Sequence, residues 1–287
     1  MIGVYKKELK AYFSTPTGYV FMGFFLLIAG FFFAISNLFP MVANYNGMLS
    51  NLTFIFLIVV PILTMRLMAE EMRQKTDVLL LTSPLSVNEM VLGKYFAAVT
   101  VFLITLLITC LYPLMMSFFG DIAVWEIIGG YVGFFLLGST FIAVGLFISS
   151  LTDNQVIAAV VTFSVLLLLW VMDALQSVVP TDIISGVVFA SALVAAVAIW
   201  LYSATRNIYV SLVTAIAGGA AIAGVYIANK DIYTGFIGKA LAWFSVLNRY
   251  NEFSLGILSL SPIVYYITFS AVFVFLTIRN IEKKRWS

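Results

Sequence analysis

The chain has 287 residues, of which 63% are hydrophobic and 10% are charged, and its formal net charge is +2. Soluble domains carry roughly 25% charged residues, so this composition excludes a soluble globular protein and predicts one membrane domain over residues 1–287. The weak net charge excludes a nucleic-acid partner. The absence of histidine, together with a single cysteine at Cys110, excludes a disulfide framework and predicts no metal site.

An amphipathic helix is predicted at the N-terminus, over residues 2–15. Its apolar side chains recur at helical spacing, at Ile2, Tyr5, Leu9 and Tyr12, and three lysines occupy another face. This pattern is typical of a helix that lies in the membrane interface. Two roles stay open for it, a juxtamembrane anchor and a part in coupling.

Eight apolar segments are long enough to cross a bilayer, because a helix needs about 20 residues to do so. The predicted spans cover residues 18–39, 48–69, 95–119, 127–149, 155–173, 183–203, 207–228 and 262–279. Eight spans place both termini on one side, and 12 of the 15 basic residues fall on that side. The positive-inside rule therefore predicts cytoplasmic termini for this all-α, multi-pass protein, whose expected location is the bacterial inner (plasma) membrane.

Residues 66–94 form a charged segment between the second and third predicted spans. We call this segment the elbow. Arg66 and Glu70 are four residues apart, as are Glu71 and Lys75. Opposite charges at this spacing support a helix. The sequence therefore predicts that the helix of the second span continues into the cytoplasm.

The second half of the elbow is predicted to turn back. Pro84 ends the first helix, and Ser86 with Glu89 forms a capping box that begins the next one. The apolar run at residues 78–81 then forms an exposed tip beside charged turns. Exposed apolar surface rimmed by charge marks docking sites, whereas a solvated connecting loop is the alternative interpretation.

The later helices carry small residues that allow close approach. Gly129 and Gly133 lie on one such face and Gly219 and Gly224 on another, which predicts packing within the bundle or a dimer interface. Residues 229–261 repeat aromatic side chains at helical spacing. They are predicted to lie on, or dip into, the outer leaflet.

Ionisable residues inside a membrane mark ion pathways, yet none lies near the centre of a predicted span. This absence disfavours a secondary transporter, and no catalytic pair is present for an intramembrane enzyme. A secondary transporter nevertheless stays an alternative, and so does a non-transporting scaffold that anchors an ATPase and an extracytoplasmic partner.

The elbow resembles the signature of permease subunits of type-2 ABC exporters. The matching residues are Glu70-Glu71, Lys75-Thr76, Leu79 to Leu81, Pro84-Leu85-Ser86, Glu89 and Gly93-Lys94. The turn at residues 149–155 resembles the turn between the fourth and fifth spans of that family. The variant is most similar to permeases of gliding-motility and nitrous-oxide-reductase maturation systems. Because six spans are common in the family, residues 183–228 are predicted to be an added helical hairpin.

The resemblance implies a function and its partners. Glu70 and Glu71 would hold the geometry of the elbow, which would dock in a cleft of a separate ATP-binding subunit. The residues implied in contact with that subunit are Lys75, Thr76, Leu79, Leu80, Pro84 and Leu85. ATP and Mg²⁺ would lie on that partner, since the sequence contains no Gly-x-x-x-x-Gly-Lys-Ser/Thr loop and is expected to need no cofactor. A second permease copy or homologue and an extracytoplasmic accessory subunit would complete the assembly.

Overall fold

The computed structural model of the protein describes residues 1–75, 86–118 and 120–286. The structure is 84% helical, contains no strand within these residues and has eight helices that are long and apolar enough to cross a membrane. The predicted all-α polytopic class is confirmed.

Fourteen α-helices occur in the described residues. They are α1 (Ile2–Ser14), α2 (Pro16–Phe33), α3 (Tyr45–Leu52), α4 (Phe56–Thr64), α5 (Ala69–Arg73), α6 (Val87–Thr109), α7 (Leu111–Ser117), α8 (Val124–Leu151), α9 (Gln155–Val178), α10 (Ile183–Thr205), α11 (Ile208–Ala228), α12 (Phe236–Phe244), α13 (Tyr250–Ser254) and α14 (Leu260–Trp286). A π-helical turn at Ala34–Leu38 and 3₁₀ turns at Thr53–Ile55 and Lys230–Tyr233 complete the regular structure.

The second span is interrupted where the sequence predicts a continuous helix. α4 ends at Thr64, a turn follows, and α5 covers only Ala69–Arg73. Lys75 then has a φ of +55°, which is incompatible with an extended right-handed helix. The predicted helix that continues from the second span, residues 48–69, into residues 66–81 is therefore broken by a turn between Thr64 and Ala69.

The chain forms two compact units, of which the first comprises Met1–Leu169 and the stretch that begins at Val246. Its core is an aromatic cluster in which Phe56 lies 4.6 Å from Phe134 and 5.6 Å from Phe102, measured between ring centroids. These rings join α4, α6 and α8. A Cβ atom on Gly138 would lie 2.5 Å from the Phe102 ring, so only glycine allows this close packing of α8.

The second unit comprises Trp170–Ser245, and α10 and α11 pack against each other within it as a hairpin. α10 ends where Arg206 adopts a left-handed conformation, as the predicted split between the sixth and seventh spans requires. The Tyr233 hydroxyl donates to the Ile222 carbonyl oxygen at 3.0 Å and ties the 3₁₀ turn to α11.

Candidate functional site

Only part of the predicted elbow lies in the described residues. Glu70 and Glu71 are on α5, and exposed Lys75 follows its C-terminus. Five predicted partner contacts fall outside the described residues: Thr76, Leu79, Leu80, Pro84 and Leu85. The described part of the elbow is its base, where it joins the second and third spans.

The turn between α4 and α5 is held by one buried hydroxyl. Ser149 Oγ accepts hydrogen bonds from the amides of Met68 and Ala69, both at 3.1 Å, and donates to the Met65 carbonyl oxygen at 3.2 Å. A hydroxyl offers one donor and two acceptor positions, and all are used here. These bonds replace those that the interrupted helix loses, so α8 fixes the direction in which α5 leaves the span.

Arg66 fastens α5 to the start of the first span. Its Nε lies 2.7 Å from Glu70 Oε2 and its Nη2 lies 3.0 Å from Glu70 Oε1, which makes a bidentate pair. The remaining Nη1 donates to the hydroxyl of Thr17 in α2. The sequence-predicted pairing of Arg66 with Glu70 is confirmed.

Lys94 is the buried centre of the site. Its side chain is only 2% exposed, and its Nζ lies 3.0 Å from Glu8 Oε1 and 2.9 Å from Glu71 Oε1. The third ammonium hydrogen is donated to the Leu67 carbonyl oxygen at 2.8 Å. A buried charge is costly unless it is fully paired, so this arrangement holds α1, α5 and α6 at fixed distances.

The glycine before Lys94 lets α1 come close enough for this ion pair. A Cβ atom on Gly93 would lie 3.0 Å from Val4 Cβ and 3.2 Å from the Met1 carbonyl oxygen. The N-terminal ammonium of Met1 also lies 3.2 Å from Glu89 Oε1. α1 is thus packed on the N-terminal turns of α6, where the predicted capping box of Ser86 and Glu89 is present.

The other end of α1 contacts the second span. The buried Tyr12 hydroxyl donates to the Leu63 carbonyl oxygen at 2.8 Å. Burial, with a smaller contribution from the nearby Glu8 carboxylate, raises the pKa of Tyr12 well above its usual range, so this phenol stays a neutral donor. Val4 and Tyr12 form the buried face of α1, whereas Ile2 is exposed.

The last helix also reaches the elbow. Lys284 Nζ lies 3.0 Å from the sulfur of Met72 in α5 and donates to the Ser150 carbonyl oxygen at 2.8 Å. Asn280 Nδ2 donates to the same oxygen at 2.8 Å. Four helices, α1, α6, α8 and α14, therefore contact the short stretch that carries the acidic pair.

Sequence reasoning missed three members of this site, Glu8, Ser149 and Lys284. Lys94 belonged to the recognised motif but had no assigned contact. One signal was available for Lys94, because a lysine beside a glycine in an otherwise apolar helix needs a carboxylate partner. No group of metal-binding side chains occurs in the described part of the chain.

The four predicted packing glycines have different surroundings. A Cβ on Gly129 would lie 3.3 Å from the Gly256 carbonyl oxygen, and one on Gly133 would lie 2.4 Å from Phe253 Cβ. Around Gly219 and Gly224 the described residues place no atom within 4 Å of such a position, apart from the chain neighbours and backbone of the same helix. In α11 it is Gly218 that approaches a neighbour, Val194 of α10.

Comparison with known protein families identifies the family to which the chain belongs. A family model described as "ABC-2 family transporter protein" matches residues 9–212, which is more than half of the chain. The chain belongs to the ABC-2 transporter family. The match includes the whole elbow and α10, and it ends within α11. No curated protein matches the chain.

Membership of the ABC-2 family identifies the class of protein. The chain is a permease subunit of an ABC transporter, a multi-pass membrane subunit that is not itself the ATPase. Permeases of this family generally work with an ABC ATP-binding subunit.

Proposed function

We propose that this ABC-2 permease is the membrane subunit of an exporter, and that its elbow docks in a cleft of the ATP-binding subunit. Glu70 and Glu71 hold the base of the elbow, while Lys75, Thr76, Leu79, Leu80, Pro84 and Leu85 contact the partner. Nucleotide-driven closure of two ATP-binding subunits would push on the elbow and move the second span.

The buried Lys94 carries this proposal. A force on α5 acts directly on Glu71, which pairs with Lys94 of α6. Lys94 also pairs with Glu8, so the same force reaches α1. Arg66 transmits the same displacement to α2. A loose connecting loop would need none of these buried ion pairs, and their desolvation cost favours a mechanical role.

The ATP-binding subunit, co-expressed with an affinity-tagged permease, tests the docking. The double variant Glu71→Lys with Leu80→Asp should lose co-purification of that subunit and stimulation of its ATPase. The matched control, Asp121→Lys with Phe118→Asp, makes the same chemical changes beyond the end of α7 and should retain both. Retention of the partner by the elbow variant would refute the docking.

We also propose that both termini face the cytoplasm of a bacterial cell. The bias of the basic residues supports this orientation. In a Cys110→Ser background, a cysteine at Asp121 should react with an impermeant maleimide in intact cells, whereas a cysteine at Lys284 should react only after lysis. The reverse pattern would contradict the orientation and the docking together.

The rest of the proposed assembly follows the family. It contains a second permease copy or homologue, and an accessory subunit outside the cell if the chain belongs with the gliding-motility and nitrous-oxide-reductase maturation permeases. A non-transporting scaffold is the competing function. Stimulation of the partner's ATPase by a candidate substrate separates the two, because a scaffold gives no such stimulation.

A further inference from the structure

The N-terminal helix α1 lies across the ends of two spans. A single extended residue, Thr15, separates α1 from the first span, which begins at Pro16. Toward its other end, Val4 packs on Gly93, within about two turns of the start of the third span. Both ends of α1, which is about 20 Å long, are therefore at the depth where spans enter the membrane. This position is the interface between lipid and water.

One face of α1 packs against the rest of the protein. Val4, Glu8 and Tyr12 recur every four residues and so share a face of the helix. Val4 and Tyr12 are buried, and Glu8 Oε1 lies 3.0 Å from Lys94 Nζ. Side chains on the opposite side of α1 therefore face away from the protein.

An apolar stripe of α1 lies outside this packed face. It consists of Ile2, Leu9 and Phe13, which fall within an arc of about 40° at 3.6 residues per turn. The sequence predicts Ile2 and Leu9 on the same face as Tyr12, yet Tyr12 is buried whereas Ile2 is 68% exposed and Leu9 is only half-buried. The Phe13 ring lies 6.3 Å from that of exposed Tyr19, in the first turn of α2. Aromatic side chains are enriched at this depth of a membrane protein.

Three lysines form a basic face beside the apolar stripe. Lys6, Lys7 and Lys10 fall within an arc of about 100° and are exposed. Glu8 is the one acidic residue of α1, and its carboxylate is turned away toward the protein. Lys7 Nζ also lies 3.8 Å from Glu71 Oε1, so Lys6 and Lys10 are the better probes of this face. An apolar stripe next to a basic face is the pattern of helices that bind anionic membranes.

We propose that the outer surface of α1 binds anionic phospholipids of the adjoining leaflet. The ammonium groups of the basic face contact the headgroup phosphates, and the apolar stripe lies among the upper parts of the acyl chains. Lipid would then hold the outer side of the same helix whose inner side pairs with Lys94 at the base of the elbow. This inference does not rest on the proposed function or orientation, because it can be measured in nanodiscs without an ATP-binding subunit.

Photolabelling of the purified full-length permease tests this surface. The nanodiscs contain a trace of phosphatidylglycerol that carries a diazirine beside its headgroup, and the competitors are unlabelled phosphatidylglycerol and phosphatidylcholine. We expect saturable labelling of residues 1–14. Phosphatidylglycerol should compete about tenfold better than phosphatidylcholine, because lysines near the surface favour a net negative headgroup. Added salt should reduce this preference, since it screens exposed charges.

Two variants and a matched control sharpen the result. Lys6→Gln with Lys10→Gln should remove most of the preference for phosphatidylglycerol at residues 1–14, whereas Lys6→Arg with Lys10→Arg keeps the charges and should keep the preference. The control, Lys230→Gln with Lys239→Gln, removes two exposed charges elsewhere and should also keep it.

Three results would overturn the proposal. They are equal competition by the two lipids, an unchanged preference in Lys6→Gln with Lys10→Gln, and protection of residues 1–14 from the label by a bound ATP-binding subunit. The last result would assign the basic face to that subunit and leave the docking of the elbow intact.

Discussion

The ammonium group of Lys94 and the carboxylate of Glu71 lie 2.9 Å apart, so the two ends of the elbow meet at a buried ion pair. Glu71 precedes the tip of the elbow in the chain and Lys94 follows it. The pair therefore sets the separation between the second and third spans at their connected ends. Glu8 adds the N-terminal helix to the same contact, with 3.0 Å between Glu8 Oε1 and Lys94 Nζ.

Replacing Lys94 with methionine should strongly destabilise the protein. The change removes the buried ammonium shared by Glu8 and Glu71 and leaves exposed Lys7, 3.8 Å from Glu71 Oε1, as a more distant counter-ion. Breaking a buried ion pair in this way costs about 3 kcal/mol or more. Thermal unfolding of the purified permease measures the loss. Exposed Lys6 of α1 provides the control, and Lys6→Met should leave the unfolding temperature unchanged.

The same residue offers a test that separates charge from packing. The triple variant Lys94→Met, Glu8→Gln, Glu71→Gln removes all three charges and should recover most of the stability that Lys94→Met loses. If the triple variant is as unstable as the single one, the contribution of Lys94 is packing and the ion-pair account is wrong.

Replacing Arg66 with lysine should weaken coupling more than folding. Lysine keeps the charge but cannot form the two parallel hydrogen bonds to Glu70 and the third contact to Thr17. We expect the ATP-binding subunit to co-purify while its ATPase stimulation falls several-fold. Arg279→Lys, at an exposed pair with Glu282, should have no effect, since such surface pairs contribute little. Equal stimulation in the two variants would argue against a role for the Arg66 fork.

Replacing Ser149 with alanine should loosen α5. The amides of Met68 and Ala69 would lose their acceptor in a buried position, at a cost of about 2 kcal/mol. Hydrogen exchange of a peptide that covers residues 65–75 should become faster. Ser164, whose hydroxyl is exposed and bonds only within its own helix turn, is the matched control. An unchanged exchange rate in Ser149→Ala would show that α5 is held by other contacts.

Replacing a glycine with leucine tests whether its helix face packs against a neighbour. Gly133→Leu should reduce stability, because a Cβ atom alone already falls 2.4 Å from Phe253. A Cβ atom on Gly224 lies more than 4 Å from every described atom outside its own stretch of helix, so Gly224→Leu should leave the unfolding temperature unchanged. If Gly224 instead forms a contact between two copies, its variant will shift the native mass from dimer to monomer. Native mass spectrometry in detergent distinguishes these outcomes.

The local features of this protein follow from its sequence. Eight apolar stretches of sufficient length predict the eight spans because a bilayer imposes that length. The capping box of Ser86 and Glu89 joins residues three apart at the start of α6, where helix geometry brings the side chains together. The pair of Arg66 and Glu70, four residues apart, forms across the turn between α4 and α5. These contacts needed no knowledge of the fold.

The tertiary structure decided the contacts between distant residues. Lys94 and Glu8 are 86 positions apart, and no periodicity in either segment relates them. Glu71 appeared suited to Lys75 by spacing, yet it pairs with buried Lys94, because a buried ammonium needs a carboxylate more than an exposed one does. The interruption of the second span likewise depends on Ser149 in another helix, whose hydroxyl satisfies the amides that a helix broken there would otherwise leave unpaired.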